Sequence, residues 1–147
     1  MSTTAWVTCY GILSAYCLAG SLMEHFAVIS GWSAVDASSF PAVHKAQGNG
    51  VGLIYVLPKV ALTIYAVVLL AVQPAHISTS LLVASLVALA VSWATTGLHQ
   101  LPIQRRIRKA KDSAAIARLY TVDLVRVAAM IAHNLFAFVF MARALQI

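Results

Sequence analysis

Four long apolar stretches constrain the fold of this chain more than any other feature. They cover roughly residues 5–29, 50–72, 80–101 and 118–142 of the 147-residue sequence. Each is about the 20 residues that an α-helix needs to cross the hydrocarbon core of a bilayer. With 61% hydrophobic and 10% charged residues, the chain is also far more apolar than a soluble domain. The sequence therefore predicts an all-α integral membrane protein, folded over residues 1–147 as a single four-helix up-down transmembrane bundle.

The first stretch is interpreted as a retained helix rather than a cleaved signal peptide, because residues 1–6 contain no Lys or Arg. Cys9 and Cys17 both fall in it, so we expect buried thiols and no disulfide framework. Pro58 is predicted to kink the second helix, and Pro102 to lie just beyond the end of the third. Residues 30–49 are predicted to form a polar loop, and residues 73–79 a tight turn that leaves His76 in solvent.

The basic residues fall almost entirely on one side of the predicted spans. That side holds seven of the ten Lys and Arg residues, namely Lys45, Arg105, Arg106, Arg108, Lys109, Lys111 and Arg118. Because cytoplasmic connections are enriched in Lys and Arg, we expect this side in the cytoplasm, both termini outside, and the chain in the cytoplasmic (inner) membrane. The net charge of +6 then reflects topology. The predicted partners are the bilayer and a lipophilic small molecule, with no nucleic acid, and a homo-oligomer is left open.

Several ionisable residues lie in or at the ends of the spans, where charge is costly and usually marks function. They are Glu24, His25, Lys59, His99, Asp123, Arg126 and His133. Short connections make neighbouring helices antiparallel, which brings most of them to the cytoplasmic half. Three- and four-residue spacing also predicts one inward polar face per helix. These faces comprise Tyr10, Ser14, Cys17, Ser21 and Glu24 in the first helix, Trp93, Thr96, Gln100 and Gln104 in the third, and Asp123, Arg126, Met130 and His133 in the fourth.

Two interpretations of this cluster are open. In the first, the charges only hold the helices together, with Asp123 paired to Arg126 and Glu24 paired to Lys59. In the second, they line a pocket in which a cation holds an anionic oxygen and an acid or histidine moves a proton. The candidate catalytic residues are Glu24, His25, His99, Asp123 and Arg126. The candidate substrate-binding residues are Lys59, Trp93, Gln100 and Gln104.

A metal site is a further hypothesis, because histidine and carboxylate side chains are the usual ligands of Fe, Cu and Zn. If a metal binds, its candidate ligands are His25, His44, His99 and His133. The sequence contains no HExxH motif and no cysteine cluster, so the spacing does not identify a metal. The cofactor is therefore left open.

The order of these motifs resembles a known family. Glu24-His25 ends the first helix, Trp93 precedes a polar exit at residues 100–104 that contains Pro102, and Arg126 lies early in the fourth helix. This order resembles the four-span membrane family that includes anthrone oxygenases, in which Pro and Asn commonly stand where this chain has Phe26 and Gln104. The resemblance implies oxidation of a lipophilic, aromatic substrate with dioxygen as co-substrate. It assigns roles in that reaction to Glu24, His25, Gln104 and Arg126.

The favoured function is therefore a membrane-embedded oxygenase or related oxidoreductase, with its pocket at the cytoplasmic end of the bundle. The alternative is a non-enzymatic bundle that binds a metal or small molecule, or a subunit of a larger membrane complex. A closed pocket lined by Glu24, His99 and Arg126 would favour the enzyme. Complete pairing of these side chains without a cavity would favour the structural alternative.

Overall fold

The computed structural model describes residues 2–74 and 77–145, which form four long helices. They are α1 (Thr3–Ala34), α2 (Phe40–Val72), α3 (Thr79–Ile107) and α4 (Ser113–Leu145). All four are long and apolar enough to cross a bilayer, and the described ranges contain no β-strand. The predicted all-α, multi-pass membrane class is thus confirmed. His76 lies outside the described residues.

The helices extend beyond the apolar stretches from which they were predicted. α2 begins at Phe40, so the second half of the predicted loop 30–49 is helical, with Pro41 in its first turn. This placement suits proline, because the first turn of a helix has no backbone partner for its N–H groups. α3 runs through Pro102 to Ile107, so the predicted end before Pro102 is wrong. Hydropathy marks only the bilayer-embedded part of a helix, and these polar turns continue beyond it.

Three of the helices contain a π-helical segment near the same end of the bundle. The segments are Glu24–Ile29 in α1, Gly52–Val56 in α2 and Thr96–Gln100 in α3. Pro58 and Pro102 each follow two residues after one of them. Proline removes a hydrogen bond and clashes with the preceding turn, and both costs are smallest where the hydrogen-bond ladder is already interrupted. The π segments thus explain why α2 and α3 continue past their prolines.

The helix ends carry ordinary caps. Asp112 caps α4, since its Oδ1 accepts a hydrogen bond from the backbone N–H of Ala115 at 2.9 Å. That hydrogen bond, together with Arg106 at 2.7 Å, lowers the pKa of the Asp112 carboxyl. At the other end of the bundle, α2 ends at Gln73 in the left-handed conformation with φ 41°. The N–H of Gln73 returns to the Leu69 carbonyl at 3.0 Å, which satisfies an otherwise unpaired carbonyl.

The inside of the bundle combines polar stripes with apolar packing, and its outside is apolar. All five residues of the predicted stripe in α1 are buried, as are all four in α4. Large apolar side chains point outward instead, including Ile12, Leu53, Leu98 and Phe138, each more than 60% exposed. A water-soluble protein would not expose so many of these side chains. This distribution suits a bundle surrounded by lipid, and it confirms the predicted inward stripes in α1 and α4.

Side-chain contacts show which parts of the helices meet. Asn134 donates to Ser14 at 2.9 Å, and further along the pair Arg126 meets Glu24. The C-terminal part of α1 therefore packs against the N-terminal half of α4. The end of the bundle that holds the connection between α3 and α4 carries most of the basic residues, and we call it the basic end.

Gly20 allows α1 to approach Tyr55 of α2. A β-carbon at Gly20 would lie 2.8 Å from Cδ2 of the Tyr55 ring, whereas at Gly11 it would meet the flexible sulfur of Met141 at 2.7 Å. We expect Gly20→Ala to destabilise the protein by about 1–3 kcal/mol relative to Gly11→Ala, because an aromatic ring cannot yield as a methionine can. Reversible unfolding in mixed micelles would measure this difference. Equal stabilities would show that the ring is free to move.

Candidate functional site

A cavity of about 210 Å³ lies among the four helices near the basic end, and we call it the chamber. Every helix contributes to its wall. The polar and aromatic residues that line it are Glu24, Trp32, His44, Tyr55, Lys59, Trp93, Thr96, Gln100, Gln104 and Arg126. The chamber therefore combines aromatic surface with charged groups that are shielded from solvent.

Arg126 of α4 binds two carboxylates at the chamber wall. Its Nη1 lies 2.7 Å from Oε2 of Glu24, and its Nε and Nη2 donate to the two carboxylate oxygens of Asp123 at 2.5 and 3.1 Å. The guanidinium also lies over the Tyr55 ring, 5.0 Å from its centroid. The side chain is fully buried, so its charge is balanced by these contacts rather than by water.

Asp123 joins this ion pair to α1 and α3. Its Oδ2 lies 2.8 Å from Nδ1 of His25, and its Oδ1 accepts a hydrogen bond from the Gln100 side chain. The His25 ring stacks on Tyr120 with its centroid at 4.2 Å. Asp123 and His25 are both completely buried behind the chamber wall. Their contacts orient Arg126 and Gln100, which do reach the cavity.

Each π segment contains at least one residue of this network. Glu24 begins the first, Tyr55 lies in the second, and Gln100 ends the third. A π segment widens a helix and changes which side chains face inward, and such segments are frequent at functional sites. Three of them beside one cavity indicate that this end of the bundle is shaped for the chamber, because simple helix packing requires none.

Lys59 is the other cation in the wall, and its surroundings differ from those predicted. Its Nζ donates to the Ser92 hydroxyl at 2.7 Å and lies 4.4 Å from the centroid of the Trp93 ring. Within the described residues, no carboxylate lies within 4.0 Å of it. The predicted pairing with Glu24 is therefore wrong, because Arg126 binds that carboxylate. The predicted pairing of Asp123 with Arg126 is confirmed.

This arrangement leaves the amino group of Lys59 in the wall without a carboxylate partner among residues 2–74 and 77–145. A hydroxyl and an aromatic face stabilise an ammonium less than a carboxylate does, and Lys59 is only 1% exposed. The cavity lies directly beside it. An anionic oxygen of a bound molecule would complete its coordination.

The structure brings most of the sequence-predicted site residues together. Glu24, Lys59, Trp93, Gln100, Gln104 and Arg126 line the chamber. Asp123 and His25 lie behind it. His99 does not reach it: its side chain is exposed and lies in a surface groove with Leu98 and Arg106. Consecutive helical residues point about 100° apart, so the inward position of Gln100 turns His99 outward. The prediction that Glu24 and Arg126 line a pocket is thus confirmed, and the prediction that His99 lines it with them is wrong.

The four candidate metal-ligating histidines lie apart. His25 contacts Asp123, His44 packs against Trp32 with ring centroids at 4.8 Å, and His99 is on the surface. His133 lies deeper in the bundle, with its Nδ1 2.9 Å from the Ser85 hydroxyl. Among residues 2–74 and 77–145, no three side chains of the types His, Cys, Asp and Glu converge as metal ligands. The predicted four-histidine set is therefore not one site in this structure.

Some chamber residues were not identified from the sequence. Tyr55 packs on Arg126 and stands four residues before Lys59, a spacing that places both on one helical face. Gly48 and Gly52 also line the cavity at four-residue spacing. That pattern of small residues could have pointed to a groove along α2. Ser92 does not line the chamber, and its role as the hydrogen-bond partner of Lys59 could be found only from the structure.

Comparison with models of known families finds no match, and neither does comparison with curated proteins or with solved structures. The resemblance to the anthrone oxygenase-like family therefore stays a prediction based on the motifs of residues 24–25, 93–104 and 126.

Proposed function

We propose that this protein is a membrane-embedded oxygenase that acts on a small lipophilic, aromatic molecule held in the chamber. The observation that supports this most is the buried amino group of Lys59, which faces a cavity beside Trp93 and lacks a carboxylate partner in the described part of the chain. Such a group suits a substrate that is largely apolar but carries, or develops, a negative oxygen.

The size and lining of the chamber support an aromatic ligand. An engineered apolar cavity of about 150 Å³ binds benzene, so a chamber of about 210 Å³ has room for one ring or two fused rings. Trp93 and Tyr55 supply aromatic faces, on which flat rings pack favourably. A larger molecule would extend past the polar side chains of Gln104 and His44.

The wall also contains the groups needed for proton transfer. Glu24 reaches the chamber and is held by Arg126 through one oxygen, Oε2. In the proposed reaction its carboxylate removes a proton from an acidic hydroxyl or C–H of the substrate, while Lys59 stabilises the oxyanion that forms. The electron-rich anion then forms a C–O bond with dioxygen, the co-substrate that the family resemblance implies, and the proton returns from Glu24 to give a hydroperoxide. Loss of water from this hydroperoxide breaks the O–O bond and leaves a carbonyl group that keeps one of the two oxygen atoms. Asp123, His25 and Gln100 position Arg126 and thereby Glu24.

The orientation in the membrane is part of this proposal. The basic end carries Arg105, Arg106, Arg108, Lys109 and Lys111, so the positive-inside bias favours a cytoplasmic chamber with both termini outside. In a bacterial cell this would be the inner membrane. A substrate that partitions into lipid would then reach the chamber from the cytoplasmic leaflet.

A second candidate function is binding without chemistry. It is favoured by the ion pairs of Arg126, whose charge is already balanced within the protein by Glu24 and Asp123. A network of this kind can serve structure alone. In this case the chamber would bind its ligand and release it unchanged.

Anthrone with ¹⁸O-labelled dioxygen separates the two candidates. The purified protein in nanodiscs should consume oxygen and form a product with one ¹⁸O atom, at a rate well above that of empty nanodiscs. Anthrone that binds, detected by quenching of tryptophan fluorescence, but reacts only at the background rate would instead favour the binding function.

Glu24→Gln tests the assigned base. We expect turnover to fall by about 10²-fold or more, because the amide cannot accept the proton. Binding of anthrone, measured by quenching of tryptophan fluorescence, should change little, since glutamine keeps the size of the side chain. Turnover at the wild-type rate would remove Glu24 from the mechanism. Asp112→Asn is a suitable control, because Asp112 caps α4 far from the chamber wall.

A further inference from the structure

A second cavity shares part of its wall with the chamber. It measures about 540 Å³ and is lined by the first turns of α2 and the end of α3, including Lys45, Asn49 and Arg108. We call it the mouth. His44, Gly48 and Gln104 line both cavities, so a single molecule could extend from one into the other.

The mouth carries positive charge that the protein does not neutralise. In the part of the chain that the structure describes, neither Lys45 nor Arg108 has a carboxylate within 4.0 Å, whereas the nearby Arg106 binds Asp112 at 2.7 Å. The mouth is therefore an electrostatically favourable place for an anionic group.

His44 marks the boundary between the two cavities. Its side chain is buried, at 5% exposure, and packs against the rings of Trp32 and Phe40. Its Nδ1 has no hydrogen-bond partner among the residues that the structure describes. A buried polar atom without a partner is costly, and a ligand that passes this point could supply one.

Gly48 keeps the passage open. A β-carbon at this position would meet no atom within 4 Å, although Gly48 lines both cavities. A β-carbon at this position would thus displace no other group, and a larger side chain would extend into the space between the two cavities.

We propose that the ligand of the chamber is an amphipathic anion: its ring system occupies the chamber, and a carboxylate or phosphate group binds in the mouth to Lys45 and Arg108. This inference rests on the proposed function only in that the chamber binds the substrate. It adds the chemical class of that substrate, an aromatic molecule with an acidic side group.

The charge requirement can be tested with two probes of matched size. These are 4-(2-naphthyl)butanoate and its uncharged methyl ester, titrated by naphthyl fluorescence into protein in phosphatidylcholine nanodiscs, with empty nanodiscs subtracted. The acid should bind about tenfold more tightly, as expected for a charge-assisted contact. Equal affinities would overturn the proposal.

Variants assign the charge preference to the mouth. Lys45→Ala and Arg108→Ala should each reduce the advantage of the acid severalfold, and together they should remove it, while the ester binds as before. Lys109→Ala removes a neighbouring charge that lines neither cavity and should have no effect. An equal loss in all three single variants would indicate only a general surface potential and would contradict the proposal.

Steric blockage tests the connection between the cavities. Gly48→Phe should abolish binding of both probes in a folded protein. Gly50→Phe is the matched control, since Gly50 is on the same helix, also has open space at its β-carbon and lines neither cavity. Unchanged binding of the acid in Gly48→Phe would show that the two cavities hold separate ligands.

Anionic lipid is the competing source of the charged group. One outcome is that the wild-type protein retains phosphatidylglycerol, that the double variant Lys45→Ala, Arg108→Ala loses it, and that the acid and the ester bind equally. The mouth would then be a site for lipid headgroups, and the proposal would be wrong. If only the uncharged probe binds and anthrone is still oxidised, the proposed function survives without this inference. If neither probe binds and anthrone does not react, both fail.

Discussion

Replacement of Arg126 by methionine is expected to destabilise the protein by about 3–5 kcal/mol, the usual cost of removing one partner from a buried ion pair. Arg126 is fully buried and engages both Glu24 and Asp123. Its loss would leave two buried carboxylates without the cation that they share. Reversible unfolding in mixed micelles would measure the change, with Arg143→Met, near the exposed end of α4, as the control.

The same network predicts a rescue. Adding Glu24→Gln and Asp123→Asn to Arg126→Met removes both orphaned charges and should restore most of the lost stability, because a neutral network is tolerated in a low-dielectric interior. Turnover should stay absent in the rescued protein. An Arg126→Met variant as stable as the wild type would mean that the carboxylates are not charged in the folded state, or that water reaches them.

Replacement of Lys59 by methionine is expected to have the opposite effect on stability. Lys59 has no carboxylate within 4.0 Å among the described residues, so its removal should leave stability unchanged or raise it by about 1–3 kcal/mol. Turnover should nevertheless fall by about 10²–10³-fold, the usual loss when a donor to a developing oxyanion is removed. This separation of stability from activity is typical of a residue that serves function at a cost to the fold.

Initial rates and micelle unfolding on the same preparation would check both parts of this expectation. Lys109→Met provides the control, because it removes a basic residue from the same end of the protein but away from the chamber. If Lys59→Met lowered stability and activity together, Lys59 would be a structural residue that anchors α2 to Ser92 of α3. Activity equal to that of the wild type would place the oxyanion elsewhere.

The charge pattern of the sequence predicts which charged residues face inward, but not how they pair. The inward position of Glu24, Asp123 and Arg126 followed from helical spacing and from the cost of exposing charge to lipid. The ion-pair partners of these residues could not be predicted from the same two arguments. Glu24 can reach a cation on α2 or on α4, and only the packing of α1 against both decides that it binds Arg126 rather than Lys59. Lys59 is thus left without a carboxylate within 4.0 Å among the described residues.

The histidines show the same limit. His25 follows Glu24 in the sequence, yet Glu24 reaches the chamber while His25 turns to Asp123 and Tyr120. His99 precedes Gln100 but lies on the surface. Composition and spacing could show only that four histidines exist near a polar region. Whether they share a site depends on the rotation of each helix about its axis.

The sequence by itself determined the membrane class, the number of long helices and the faces that turn inward, because hydrophobicity and a 3.6-residue period are local properties of the chain. The tertiary structure alone decided which charges pair, where the prolines are accommodated and that the chamber and the mouth share part of their walls. These features depend on the three π segments and on helix contacts between residues far apart in sequence. An added residue in a helical turn rotates the remainder of the helix by about 100°, and no local pattern in this sequence predicts where such a residue is added.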